Sequence, residues 1–399
     1  MLVAVGIEDA SSNHAVAQET KPVVRVAIPT ETRSRIPSNL PLRVVVGDPR
    51  GPCPMARVDA SRGALTDVLP DEPSDIWNNR RNKPRGRIIV PAAVDDTGDL
   101  VIATDASLLV QYTRDGRVAW QSQVRGGAAT TGPVITSDGT RVVLNSAGHA
   151  WGFGRDGSFR FDSDLGRFGT SPMTAPLPMD DGSVVVAVGS EVVVLGRDGS
   201  VIKHANVGER VVGGVVGDGA GVVVTTESGG VLRWVSPLLP RKIGTFRGKI
   251  AGTAAKTVAN ALVAVVDGSR FVLMDLSTGT ATTLLSRAGL VGPPVVGDVD
   301  LFYVPTSAGT VLSVSRSGVS RSIRVFAAPS EVDLGPIVAD KSGRIAFVVP
   351  TGPVGIIAPN GQTRYGDSIG CVLPTDLVPA GPNRYAVVCN TGEVYLFGS

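Results

Sequence analysis

The chain has 399 residues, of which 49 are Gly, 28 Pro, 4 Trp and 5 Tyr; 43% are hydrophobic and 19% charged. Glycine exceeds its usual share of ~7%, and with abundant valine it suits pleated strands and tight turns, which excludes a mainly helical protein. The apolar content excludes global disorder, and 38 basic against 36 acidic residues give no pull toward nucleic acid, so no nucleic-acid partner is expected.

In chain order, residues 1–40 read as a polar, Pro-containing flexible arm. Its first residues, Met1 to Ile7, are apolar but short, lack a basic lead and run straight into Glu8 and Asp9, so no clear signal peptide is expected. Ala15-Val16-Ala17 before Gln18 does have the small-x-small form of a cleavage site. No run of 18 apolar residues occurs, and no membrane span is expected. Residues 41–86 read as an N-terminal segment holding one strand and a linker over 70–87, and residues 87–399 as a repeat domain.

The repeat is marked by a turn: Asp115-Gly116, Asp156-Gly157, Asp198-Gly199, Thr278-Gly279, Ser317-Gly318 and Asn360-Gly361, spaced 41, 42, 80, 39 and 43 residues apart. The gap of 80 hides a copy with a degenerate turn near Pro237, and a last copy ends in Val394-Tyr395-Leu396-Phe397. A second glycine precedes the turn by eight residues at Gly148, Gly229, Gly309, Gly352 and, before the unwritten last turn, Gly392. Within each unit strand and turn alternate, as in residues 183–188, Gly189-Ser190, 191–195 and Arg197-Asp198-Gly199-Ser200. A short strand follows Gly132-Pro133 and Gly335-Pro336, which makes four strands per unit.

A four-stranded unit of about 40 residues cannot bury both faces alone, and radial stacking solves this as a β-propeller. Eight blades are expected, with seven as the alternative. Doubly apolar strands such as Val222-Val223-Val224 fit sheets packed between two neighbours. Because the last copy stops after its third strand, an upstream strand is expected to close the ring. Residues 64–69 are the first choice and 44–46 the second.

The segment Asp115-Gly116-Arg117-Val118-Ala119-Trp120 resembles the quinoprotein-type, PQQ-like propeller repeat, with Trp five residues past Asp. Asp156 to Phe161 and Asn360 to Tyr365 keep an aromatic there, whereas Lys203, Lys242, Thr283 and Ser322 replace it. The resemblance covers residues 87–399 and implies either a quinoprotein dehydrogenase or a non-catalytic, BamB-like scaffold of outer-membrane protein assembly. A dehydrogenase would carry a vicinal Cys pair and a calcium cluster, and neither is evident in the sequence. The scaffold branch is therefore preferred, and with it a periplasmic or cell-envelope location. Cys53 follows Arg50-Gly51-Pro52 rather than a lipobox. In this family the repeat Trp packs between blades.

No catalytic residue, cofactor or metal site is expected. His14, His149 and His204 lie apart in the repeat frame, and no Cys/His spacing matches zinc. Asp115, Asp156 and Asp198, with Asn360, are read as turn-capping residues before Gly116, Gly157, Gly199 and Gly361. Asp95-Asp96-Thr97-Gly98-Asp99 and Asp180-Asp181-Gly182 lack the ligand spacing of a calcium loop. Ser190 and Ser228 lack a nucleophile elbow. The run Arg80-Arg81-Asn82-Lys83-Pro84-Arg85-Gly86-Arg87 reads as a solvated linker.

Cys371 and Cys389 flank a hairpin expected to turn near Pro379 to Pro382, which would set the two opposite each other, so a disulfide is expected with Cys53 free. That pairing implies an oxidising compartment. The expected role is a monomeric, non-enzymatic scaffold that binds protein partners through rim loops. The chosen loops are 167–178 and 207–212, with Arg167, Phe168, Glu209 and Arg210 as candidate contacts. The alternative is a funnel-binding enzyme or cofactor protein.

Overall fold

The computed structural model describes residues 65–398 except 170–173, 220, 236–237, 258, 298–300 and 326–333. The architecture is all-β, eight four-stranded antiparallel blades in a ring; among the described residues the one helical element is the 3₁₀ turn Gly166–Phe168. Blades 1 to 7 span residues 93–123, 134–164, 177–206, 211–245, 250–286, 295–324 and 337–368; blade 8 combines 374–398 with Asp75–Asn78.

The first strand of each blade touches the first strands of both neighbours all the way round, so first strands line the axis. Fourth strands lie at the rim, as the exposure of Val118–Gln123 and Ala281–Ser286 shows. Strands between them, such as Val184–Val188 and Ala261–Val266, are buried at every residue. Sheets sandwiched between sheets can be Val-rich on both faces, which is why these runs do not alternate. In all eight blades the pairing of third and fourth strands shifts register. The bulge bends and twists the rim strand.

Ring closure is by an N-terminal strand, but by a different one from that expected. Asp75–Asn78 pairs antiparallel with Val394–Gly398 as the outer strand of blade 8, so residues 70–87 are not a continuous linker. Of the expected stretch, Leu65–Thr66 pairs in parallel with Ile337–Asp340, the first strand of blade 7. It therefore stands on the axial side of that blade. Residues 44–46 and the arm 1–40 lie outside the described residues. The chain between the two strands is strapped across blade 7: Leu69 N donates to Asp340 Oδ2 (3.0 Å), Arg344 meets Asp71 (2.6 Å) and Arg364 meets Glu72 (2.8 Å).

A recurring contact joins the blades. The indole of Trp120 lies on Gly157, where a Cβ would come within 2.7 Å of the ring, and its Nε1 donates to Arg155 O at 2.8 Å. Trp77 treats Gly116 the same way, with a 2.7 Å approach and an Nε1 bond to Arg114 O at 2.9 Å. Phe161 covers Gly199 and the Arg321 guanidinium covers Gly361. These turn glycines have φ of 78° to 83°, so both the backbone and the overlying side chain exclude a larger residue. Trp77 was missed in the sequence, although it precedes Trp120 by one repeat length.

The seam between blades 1 and 2 also holds a buried ion pair. Arg141 Nη2 lies 2.5 Å from Asp95 Oδ2, with side-chain exposures of 0% and 2%. Arg141 also donates to Gln111 Oε1 and Gly139 O, so each of its three guanidinium nitrogens has a hydrogen-bond partner.

Candidate functional site

The ring has two faces. Asp–Gly turns and first-to-second hairpins form the turn face; second-to-third hairpins and the connections between blades form the other, the connection face. The loops chosen from the sequence, 167–178 and 207–212, are successive inter-blade connections and open on the connection face beside blades 2 to 4. Their ends differ from those expected, because Leu177–Pro178 and Val211–Asp218 are already first strands.

In the first connection, the 3₁₀ turn Gly166–Phe168 holds the guanidinium of Arg167 4.7 Å above the Phe168 ring. The other partner of Phe168 is His204 on the rim strand of blade 3, with ring centroids 5.0 Å apart. His204 Nδ1 lies 3.3 Å from Glu191 Oε2, and Asn206 Nδ2 donates to Glu191 Oε1 at 2.7 Å. A cation, an aromatic ring and a tilted imidazole (49° between the ring planes) thus form one cluster, with a carboxylate beside the imidazole. Such a cluster joins an aromatic surface to polar edges, a composition common at protein contacts.

The second connection follows directly. Arg210 Nη2 pairs with Glu227 Oε1 at 2.6 Å, and Glu209 Oε2 accepts from Ser228 Oγ at 2.5 Å and Thr226 Oγ1 at 2.7 Å. The Ser228 hydroxyl, then that of Thr226, holds the exposed Glu209 carboxyl below its ordinary range. Glu209, Arg210, Glu227 and Ser228 line an open hollow of ≈ 350 Å³. Thus the structure brings Arg167, Phe168, Glu209 and Arg210 to one side of one face, and adds His204 and Ser228, which sequence reasoning had set aside, and Glu191 and Glu227, which it had not singled out. Their signal lay in the repeat frame, because strand ends of neighbouring copies share a face.

The other candidates are used up by structure. Asp95 Oδ1 accepts from Thr97 N, Thr97 Oγ1 and Asp99 N; Asp96 pairs with Arg155; Asp99 accepts from Gln111 Nε2 and Arg114 N. The turn residues sit on the opposite face, where Asp156 and Asp198 bind Ser158 and Ser200 and Asn360 accepts from Gln362 N. Asp115 occupies the equivalent turn, which Thr113 and Gly116 close by a backbone bond. His149 lies 2.6 Å from Asp162. Among the described residues, no three His, Cys, Asp or Glu side chains gather as a metal site. No helix is long and apolar enough to cross a membrane among those residues.

Cys371 and Cys389 stand with sulfur atoms 2.17 Å apart and Cα atoms 5.6 Å apart. The expected register is not the one observed. The hairpin turns later, between Gly381 and Arg384, so Cys389 faces Pro374 while Cys371 lies ahead of the strand. A register shift between Pro374 and Asp376 accompanies the approach of the two thiols.

No family model and no curated protein matches this chain. Solved structures do. The chain is similar to BamB from Moraxella catarrhalis, at 16% identity and a TM-score of 0.63, over 82% of this chain and 100% of that one. It is also similar to the computationally designed Ika8 protein, at 14% identity, a TM-score of 0.66, and 80% and 98% coverage. Sqt1 of Saccharomyces cerevisiae gives 9% identity, a TM-score of 0.63, and 84% and 99% coverage. At such identities the likeness is one of fold.

Proposed function

We propose that this propeller is a non-enzymatic scaffold that binds partner proteins through the connection-face loops of blades 2 to 4. The observation that carries this is the convergence of the Arg167–Phe168–His204 cluster and the Glu209–Arg210 hollow on one side of one face. Phe168 packs on His204 of a strand, and Glu209 and Arg210 bond to Thr226, Glu227 and Ser228, contacts that reduce the ordering entropy lost on binding. The similarity to BamB and the repeat resemblance support membership of the PQQ-like propellers and a setting in the cell envelope, with outer-membrane protein assembly as the candidate process. The apposed Cys371 and Cys389 support a disulfide and an oxidising compartment. The chain acts as a monomer. The alternative of a funnel-bound cofactor is opposed by Leu65–Thr66, which stands on the axial side of blade 7.

The test is crosslinking in the native cells from a photoreactive residue placed at Arg167 or Glu209, followed by mass spectrometry. One or two stoichiometric envelope proteins, lost in a Phe168→Ala, Arg210→Glu double variant, are expected. Partners that crosslink equally from the turn face would overturn the assignment of these loops.

A further inference from the structure

The basic run of residues 80–87 and three exposed aliphatic side chains lie together on the connection face at blades 8 and 1, on a part of the ring not used above. Ile89, Val372 and Leu373 are 42%, 52% and 61% exposed. They come from two different connections, 8 to 1 and 7 to 8. The backbone of Asn390 joins them, its N donating to Leu373 O at 2.8 Å and its O accepting from Ile88 N at 3.0 Å. Thr375 Oγ1 adds a 2.6 Å bond to Ile88 O. The aliphatic group is therefore fixed by main chain.

The same hairpin fixes the cations. A Cβ at Gly392 would lie 3.3 Å from Gly86 O and 3.8 Å from Pro84 O, so the basic loop rests on this hairpin. Arg80 donates to Tyr395 Oη at 2.8 Å and Ile369 O at 2.6 Å, Lys83 pairs with Glu393 at 3.1 Å, and Arg87 pairs with Asp105 at 2.8 Å. The adjacent carboxylates Glu393 and Asp105 are thereby engaged. Arg81 and Arg85, both exposed, make no side-chain hydrogen bond or ion pair among the described residues. A fixed aliphatic patch beside a fixed loop with two free guanidinium groups is complementary to one kind of ligand.

We infer that this surface is a second protein-docking site, which takes an extended acidic peptide segment with an aliphatic anchor. The anchor covers Ile89, Val372 and Leu373, while flanking carboxylates pair with Arg81 and Arg85. A guanidinium binds a carboxylate through two parallel hydrogen bonds, and the apolar contact supplies what exposed ion pairs alone do not. The inference does not depend on the loops of blades 2 to 4.

The experiment is fluorescence anisotropy on the full chain, with a fluorescein-labelled peptide carrying a Leu-Leu pair between glutamates. Saturable binding is expected, weakened about tenfold by Arg81→Glu with Arg85→Glu and similarly by Val372→Ser with Leu373→Ser. Arg167→Glu leaves it unchanged, and circular dichroism and thermal melts verify that each variant is folded. The inference fails if no saturable binding is seen, if a peptide with serines replacing the leucines binds equally, or if neither double variant weakens binding. Variant-sensitive binding to phosphatidylglycerol-containing vesicles in place of the peptide would overturn it in favour of a membrane.

Discussion

The seams between blades 1 and 2 and between blades 8 and 1 solve one problem with chain segments of different origin. At the first, Trp120 reaches the glycine of a turn 37 residues later in the chain. At the second, Trp77 makes the same contact with Gly116, but its strand pairs with Val394–Gly398 at the far end of the sequence. The closing strand even carries the register shift, between Asp75 and Trp77, that every other rim strand has. Asn79 then locks the joint. Its amide binds Tyr112 Oη and Gly392 O and accepts from Val394 N, with 4% exposure. The same seam contact thus forms from a neighbouring repeat or from the far end of the chain.

The seams differ in their polar content, and that difference gives the largest expected effect. Asp95→Ala leaves Arg141 charged and buried at the seam of blades 1 and 2, so a loss of about 3–5 kcal/mol is expected. Chemical denaturation would measure it, and a loss below about 1 kcal/mol would show that the pair is not buried as a pair. Replacing both Asp95 and Arg141 with apolar residues of similar volume is expected to recover much of the loss.

Next comes the seam of blades 7 and 8. If Cys371 and Cys389 are oxidised, Cys371→Ser should cost about 3 kcal/mol through the chain entropy of a loop of this length. The same loss should appear in wild-type protein on reduction. Full alkylation of both thiols in native, unreduced protein would count against the bond.

Trp77→Ala and Trp120→Ala then compare the seams directly. Both rings are partly exposed, and each variant is expected to lose about 2 kcal/mol, below the range for a fully buried aromatic. Trp77→Ala should in addition raise protease sensitivity around residues 70–80, because it frees the closing strand. Equal proteolysis of the two variants would mean that the strand is held by its backbone ladder alone.

The smallest effect is expected from Gly116→Ala, about 1–2 kcal/mol from φ of 81° and the approach to Trp77. In a Trp77→Ala background the substitution should cost less, because the steric part is gone. A double-mutant cycle without coupling would remove the side-chain half of this explanation.

Much of this architecture was legible because it is periodic. The turn spacing marked the unit length in six copies, since a turn with φ > 0 restricts its residue types, and the strand pattern between turns supplied four strands per unit and the two copies without the mark. The ring-closing segment was misplaced for the converse reason. Asp75–Asn78 is a single short strand whose partner lies more than 300 residues away, and only the spacing of Trp77 to Trp120 hinted at it. The hairpin register at Cys389 was misplaced because the turn falls at Gly381–Arg384, around the second of the two prolines used to mark it and not midway between them.

The candidate site divides in the same way. Arg167, Phe168, Glu209 and Arg210 could be picked out as loop residues, because loops follow from where strands end. Their union with His204, Glu191 and Glu227 could not, because those side chains lie on different copies and meet only when the sheets stack. The sequence by itself determined the repeat and the strand order within a blade, both of which are local and written many times over, and it favoured eight blades, which the structure has. Only the tertiary structure decided which strand closes the ring, which side chains of neighbouring loops and strands touch and which charges are buried, because each depends on one long-range contact that no repetition announces.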